Sequence, residues 1–222
     1  MISAKAKTKD QAIKIPRRLR ELIDGGENEM LDFKKEITST HKIAKTIVSF
    51  ANHKGGIILV GVNDDKTIYG INSEEEKHML TTAADFFCKP VVPLDIKEHP
   101  VGKKTILEAI IPKGLEKPYF AKGEDEKWWA YIRVKDQSLL ASKVVLDVLR
   151  RENNEEQTLI KYSSKEQAIL DYLGKNERIT LKEYCKLLNI SRRRAQTILV
   201  NLISIGMVRV HTTEKADFYT LS

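Results

Sequence analysis

Residues 55–65, GGIILVGVNDD, constrain the fold more than any other stretch of the chain. Ile57 to Val62 is apolar almost throughout, so it reads as a strand buried within a sheet, not as an alternating half-exposed one. Gly55-Gly56 turns a preceding helix into this strand, and Asn63-Asp64-Asp65-Lys66 reads as the turn that leaves it. The run is not a phosphate-binding loop, because it lacks the Gly-Lys-Ser/Thr ending and opens no helix.

A buried strand needs covering elements, and its neighbours supply them. Leu19, Leu22 and Ile23 have helical spacing over Arg17–Asp24, with Pro16 ahead and Gly25-Gly26 behind as a stop. Glu29 to Phe33 reads as an edge strand. Ile43, Ile47, Val48 and Phe50 predict a helix over 43–50, and Thr67 to Ile71 predicts a returning strand. Ser73, with Glu76 three residues on, predicts a capped helix from Glu74 to about Cys88. Strands follow at Leu94–Glu98, Thr105–Ile111 and Trp128–Val134, with a short segment at Pro118–Phe120. A helix through Val144, Val145, Val148 and Leu149 closes this unit, expected over 17–150, and the polar run Arg151 to Thr158 marks an expected linker over 151–160.

Residues 161–222 have another rhythm. Helices are predicted at Lys165–Leu173, Leu181–Leu188 and Arg192–Ile205, then strands at Val208–His211 and Phe218–Leu221, which is the order of a winged helix-turn-helix. Thr180 with Glu183 forms a capping-box pattern, Ser191 suits the cap of the third helix, and Asn189 suits the tight turn between them.

Charge separates the same regions. Residues 1–20, with the basic tail 1–16, carry a net +6; residues 21–160 carry −4 and residues 161–222 carry +5. Cationic ends around a mildly acidic middle fit a polyanion-binding end attached to a separate core. A hydrophobic fraction of 41% with 31% charged residues fits a globular chain, with no apolar run of membrane-spanning length and no apolar stretch after the basic start. A cytoplasmic location with no membrane partner is the expectation. Cys88 and Cys185 sit among apolar neighbours without zinc spacing, and His41, His53, His78, His99 and His211 are scattered as surface residues.

On the third C-terminal helix, Ala195, Ile198, Leu199 and Leu202 form the buried stripe. The opposite face is expected to present Arg193, Thr197, Val200 and Ser204, flanked by Arg194, Gln196 and Asn201. Arg192, Arg193, Arg194, Gln196 and Thr197 are therefore the DNA-binding candidates, suited to phosphates and base edges, although a solvated basic face has the same pattern. Carboxylates form a second group: Glu27, Glu29 and Asp32 around one strand, and Asp64-Asp65 after another. Carboxylates at strand ends supply the oxygen ligands that magnesium or manganese prefers, but acidic residues flanking strands usually face only solvent. Trp128-Trp129 offers a base-stacking surface, with one ring expected to face the core by strand alternation.

The residues Glu27-Asn-Glu-Met-Leu-Asp32-Phe33-Lys34, Ser49-Phe50-Ala51-Asn52, Gly55-Gly56 through Asp65, Tyr69-Gly70-Ile71, Lys117-Pro118-Tyr119 and Tyr131-Ile132-Arg133-Val134 resemble the AlbA-like domain of Schlafen proteins. The resemblance runs over about Arg17 to Arg150 and implies a mixed α/β (α+β) domain associated with nucleic acid, followed here by the smaller winged helix. In some Schlafen relatives it implies a metal-dependent RNA-cleaving site of three carboxylates, which fall on Glu27, Asp32 and Asp64, with Lys34 placed to steady a phosphate. Asp32 stands where the family usually has glutamate, and Asn63 where an aspartate is common. Eukaryotic Schlafens carry two such lobes in tandem, which implies a homodimer for a chain with one. The same motif also has a structural reading: Phe50, Ile57 to Val60 and Val62 as core, and Asn52 satisfying backbone groups. The expected function is a transcriptional regulator that binds double-stranded DNA and need not be an enzyme. The alternatives are a divalent-metal-dependent nuclease and a protein-interaction adaptor.

Overall fold

A computed structural model of the protein describes residues 15–153 and 163–222. The basic tail through residue 14, and the expected linker from residue 154 onward, lie outside the described residues.

The order is α1 (Arg17–Gly25), β1 (Leu31–Lys34), α2 (Thr40–Ala51), β2 (Gly56–Val60), α3 (Ser73–Phe86), β3 (Cys88–Lys89), β4 (Asp95–Val101), β5 (Lys104–Ile111), β6 (Phe120–Lys122), β7 (Trp128–Trp129), β8 (Tyr131–Val134), β9 (Gln137–Leu140) and α4 (Lys143–Glu152). It continues with α5 (Ser164–Leu173), β10 (Ile179–Thr180), α6 (Leu181–Leu188), α7 (Arg192–Ser204), β11 (Val208–His211) and β12 (Phe218–Leu221). The chain is a mixed α/β protein, as expected.

Its main sheet runs β1-β2-β5-β4, with β1 parallel to β2 and the other pairs antiparallel. The apolar run is central because both of its faces are covered. Ile58 and Val60 pack with Ile47, Phe50 and Leu80 from α2 and α3, whereas Leu59 packs with Leu19 and Ile23 of α1. Gly55, at φ 82°, makes the helix-to-strand turn; a Cβ there would lie 2.6 Å from Ile111 O. The small sheet β3-β6-β7 and the hairpin β8-β9 complete this half.

Several local expectations are corrected. Thr67–Ile71 forms no strand beyond a single bridge between Val62 and Ile68. The Thr67 amide and hydroxyl both donate to Asp65 Oδ1, which holds the segment as a turn. Ser73 is not a cap: α3 begins there, and Glu76 accepts the buried Ile37 N–H at 2.9 Å instead of closing a capping box. Trp128–Val134 is two strands broken at Ala130, and neither tryptophan faces the core; Trp128 is 40% and Trp129 37% exposed. The reason is that β7 is a two-residue edge strand, too short to impose alternation. His99 is no free surface residue, since its Nε2 lies 2.8 Å from the buried Glu108 carboxylate. Cys88 is buried as expected, and burial pushes its thiol up to about 12.

The C-terminal residues build their own apolar cluster around Ile169, Tyr184, Leu199 and Tyr219, beside the sheet β10-β12-β11. Val144 and Val148 of α4 join that cluster, whereas Val145 and Leu149 pack with Ala130 and Ala141 of the preceding half. Thus α4 belongs to both.

Candidate functional site

The motif residues around β1 meet at the outer edge of the main sheet. Ile57 N–H donates to Met30 O and Gly61 N–H to Lys34 O, each at 2.8 Å, so the even-numbered groups of this segment face β2. The main-chain groups of Leu31 and Phe33 therefore face outward, where an uncovered edge would template another strand. All four are met. Leu31 N–H donates to Asn28 O at 3.4 Å and Phe33 N–H to Glu27 Oε1 at 2.7 Å. Arg133 Nη2 donates to Leu31 O at 3.3 Å, and Lys34 Nζ to Phe33 O at 2.8 Å.

Asp32 points to the opposite face from Phe33, toward α2. Its Oδ1 accepts from Arg133 Nη2 at 2.8 Å, and its Oδ2 lies in an ion pair with Lys34 Nζ but accepts no well-directed hydrogen bond. The Arg133 guanidinium covers the Phe50 ring at 4.7 Å and also reaches Asn28 O. Asn52, at the end of α2, donates to Tyr119 O (2.8 Å) and Tyr131 O (2.9 Å) and accepts Tyr119 N–H at 2.7 Å, the backbone-satisfying role read from the sequence.

Glu27 and Asp32 thus serve the same edge strand, while Asp64 lies elsewhere. It sits exposed in the turn after β2, without an ion pair to any described residue. Among the described residues, no three His, Cys, Asp or Glu side chains are grouped as a metal ion requires. A buried arginine already compensates Asp32, and a backbone amide occupies Glu27, so these donors do not fit a resident divalent ion. Lys34 is likewise held by Asp32 and Phe33 O, away from the phosphate-steadying role expected of it. Sequence reading missed Arg133 as the partner of Asp32; only its place in the Tyr131–Val134 motif signalled it.

On α7 the local signals hold. Ser191 Oγ accepts Arg194 N–H, Thr180 and Glu183 form a reciprocal capping box, and Asn189 turns in the left-handed region at φ 48°. Arg193, Arg194 and Thr197 are exposed, and Ala195, Ile198, Leu199 and Leu202 are buried. Val200 is the exception to the expected polar face: it is 3% exposed, in the cluster that α4 completes with Val144 and Val148. The Thr197 hydroxyl donates to Arg193 O at 3.0 Å, leaving its oxygen free only to accept. Arg192 and Gln196 lie around the helix from this stripe and line a cleft shared with α4 and α6.

The fold and these motifs define an α/β domain with a sealed edge strand, followed by a basic helical unit. The family described as Schlafen, AlbA_2 matches residues 27–142, and the chain belongs to that family. Among solved structures, it is similar to the DIP2311 protein from Corynebacterium diphtheriae at 13% identity and a TM-score of 0.42, over 70% of this chain and 38% of that one. It is also similar to the N-terminal domain of a RecG-related protein from Nitrosomonas europaea, at 22% identity and a TM-score of 0.39, over 55% of this chain and 94% of that one. These likenesses are too weak to carry function. No curated protein matches the chain. Among the described residues, no helix is long and apolar enough to cross a membrane.

Proposed function

We propose that the protein is a DNA-binding transcriptional regulator, in which residues 161–222 act as a winged helix that places α7 in the major groove of double-stranded DNA. The observation that carries this reading is the exposed stripe Arg193, Arg194 and Thr197 at the start of a helix whose other side is buried. Two guanidiniums in the first turn are suited to phosphates and guanine edges, and Thr197 adds an acceptor. Arg209, exposed on β11 of the adjoining hairpin, lends a further positive charge. Membership of the Schlafen, AlbA_2 family supports a nucleic-acid-related role for the first unit, as a second contact surface or an assembly element. The Asp32–Arg133 ion pair speaks against the nuclease alternative.

The test uses the full chain, because Val144 contributes to the core that supports α7. Fluorescence anisotropy with duplex DNA should give a salt dependence that flattens by about two units in Arg193→Ala/Arg194→Ala, one per lost phosphate contact. Unchanged affinity and slope in a folded double variant refute the assignment. Absence of any DNA affinity at low salt favours the adaptor.

A further inference from the structure

A cleft of about 1100 Å³ lies between β9 and the start of α4 on one side and α6, the first turn of α7 and the β11–β12 turn on the other. Leu139, Val144, Leu181 and Tyr219 give it an apolar lining. Around them stand Lys182, Lys186, Arg192 and Lys215, none ion-paired with a described residue. Only Glu214 and Asp217 oppose them in the lining, and Asp217 Oδ2 has no hydrogen-bond partner.

We propose that this cleft binds a small organic anion, an apolar and preferably aromatic body carrying a carboxylate or phosphate, and that its occupancy weakens DNA binding. Apolar walls with a few placed polar groups are the usual make-up of a small-molecule site, and this volume lies just above the usual range. The excess of lysines and arginine over the two carboxylates of the lining sets the sign of the ligand's charge. Lys182 and Lys186 are one helical turn apart on α6, so both reach the same anionic group. The coupling rests on the DNA-binding reading: Arg192 and Gln196 belong both to this cleft and to α7, so an anion held there neutralises charge beside the DNA-facing stripe.

The test is a fluorescence titration of the full chain with anilinonaphthalene sulfonate, an anionic probe, and with uncharged phenylnaphthylamine. One saturable site should bind the anionic probe at least about tenfold more tightly than the neutral one. Lys182→Glu/Lys186→Glu should weaken it about tenfold or more, and Leu140→Trp, which fills the mouth, should do the same, both with the parent's melting temperature. Equal binding of the two probes, many weak sites, or parent-like binding by both folded variants overturns the site. Saturating anionic probe should then weaken duplex DNA binding at least about threefold, and no change overturns the coupling. A chain that binds no DNA without the probe sinks the regulator reading instead, and the titration still decides the cleft.

Discussion

Arg133 Nη2 lies 2.8 Å from Asp32 Oδ1, with the two side chains 1% and 5% exposed, and this pair fastens the β8–β9 hairpin to the edge strand β1. Removing one partner strands a buried charge, at a cost of about 3–5 kcal/mol. Asp32→Leu should lower stability by that amount in urea unfolding. Asp32→Leu/Arg133→Leu should lose less than the two single variants together, because no isolated charge remains. Additive losses would mean that the pair is not coupled.

Glu27 seals the edge through one charged hydrogen bond to Phe33 N–H. Glu27→Ala should cost about 1.5 kcal/mol and speed hydrogen exchange at the Phe33 amide, while Glu27→Gln, which keeps an acceptor, should retain most of the protection. A parent-like Phe33 exchange rate in the alanine variant would contradict the sealing role.

Asn52 holds three backbone groups of two separate segments from a position 3% exposed. Asn52→Ala leaves them buried and unpaired, each costing about 1–3 kcal/mol, so a loss of 3 kcal/mol or more is expected. Asn52→Asp should rescue little, since a carboxylate accepts from Tyr119 N–H but cannot donate to Tyr119 O or Tyr131 O. Thermal melting of the three proteins at one pH decides the point.

Burial raises the Glu76 carboxyl above its ordinary 4.5, against the Ile37 N–H that favours the charged form. The folded state therefore binds its proton more tightly than the unfolded chain does. The sign follows: as pH rises through the window above 4.5, this group makes folding less favourable. Urea midpoints of parent and Glu76→Gln should diverge across that window, with the parent losing stability relative to the variant as pH increases. Parallel curves would refute it.

Much of the frame around the site was legible before any tertiary information. Thr180 with Glu183, Ser191 and Asn189 marked helix ends through contacts within four residues, and β1 read as an edge strand from its place before a buried one. Val200 was placed wrongly because a helical wheel assumes one buried stripe, whereas α7 is packed on a second side by α4.

By itself the sequence determined the buried central strand, the mixed α/β class and the caps of α6 and α7, because hydrophobic period and capping act over a few residues. Tertiary structure alone decided what the charged residues do. Asp32 meets Arg133 from 101 positions away and Glu76 meets Ile37 from 39 away. A carboxylate has the same local pattern whether it will hold a metal ion, an arginine or a backbone amide. Its partner is chosen by which groups packing brings within about 3 Å, and by the cost of leaving its charge buried alone.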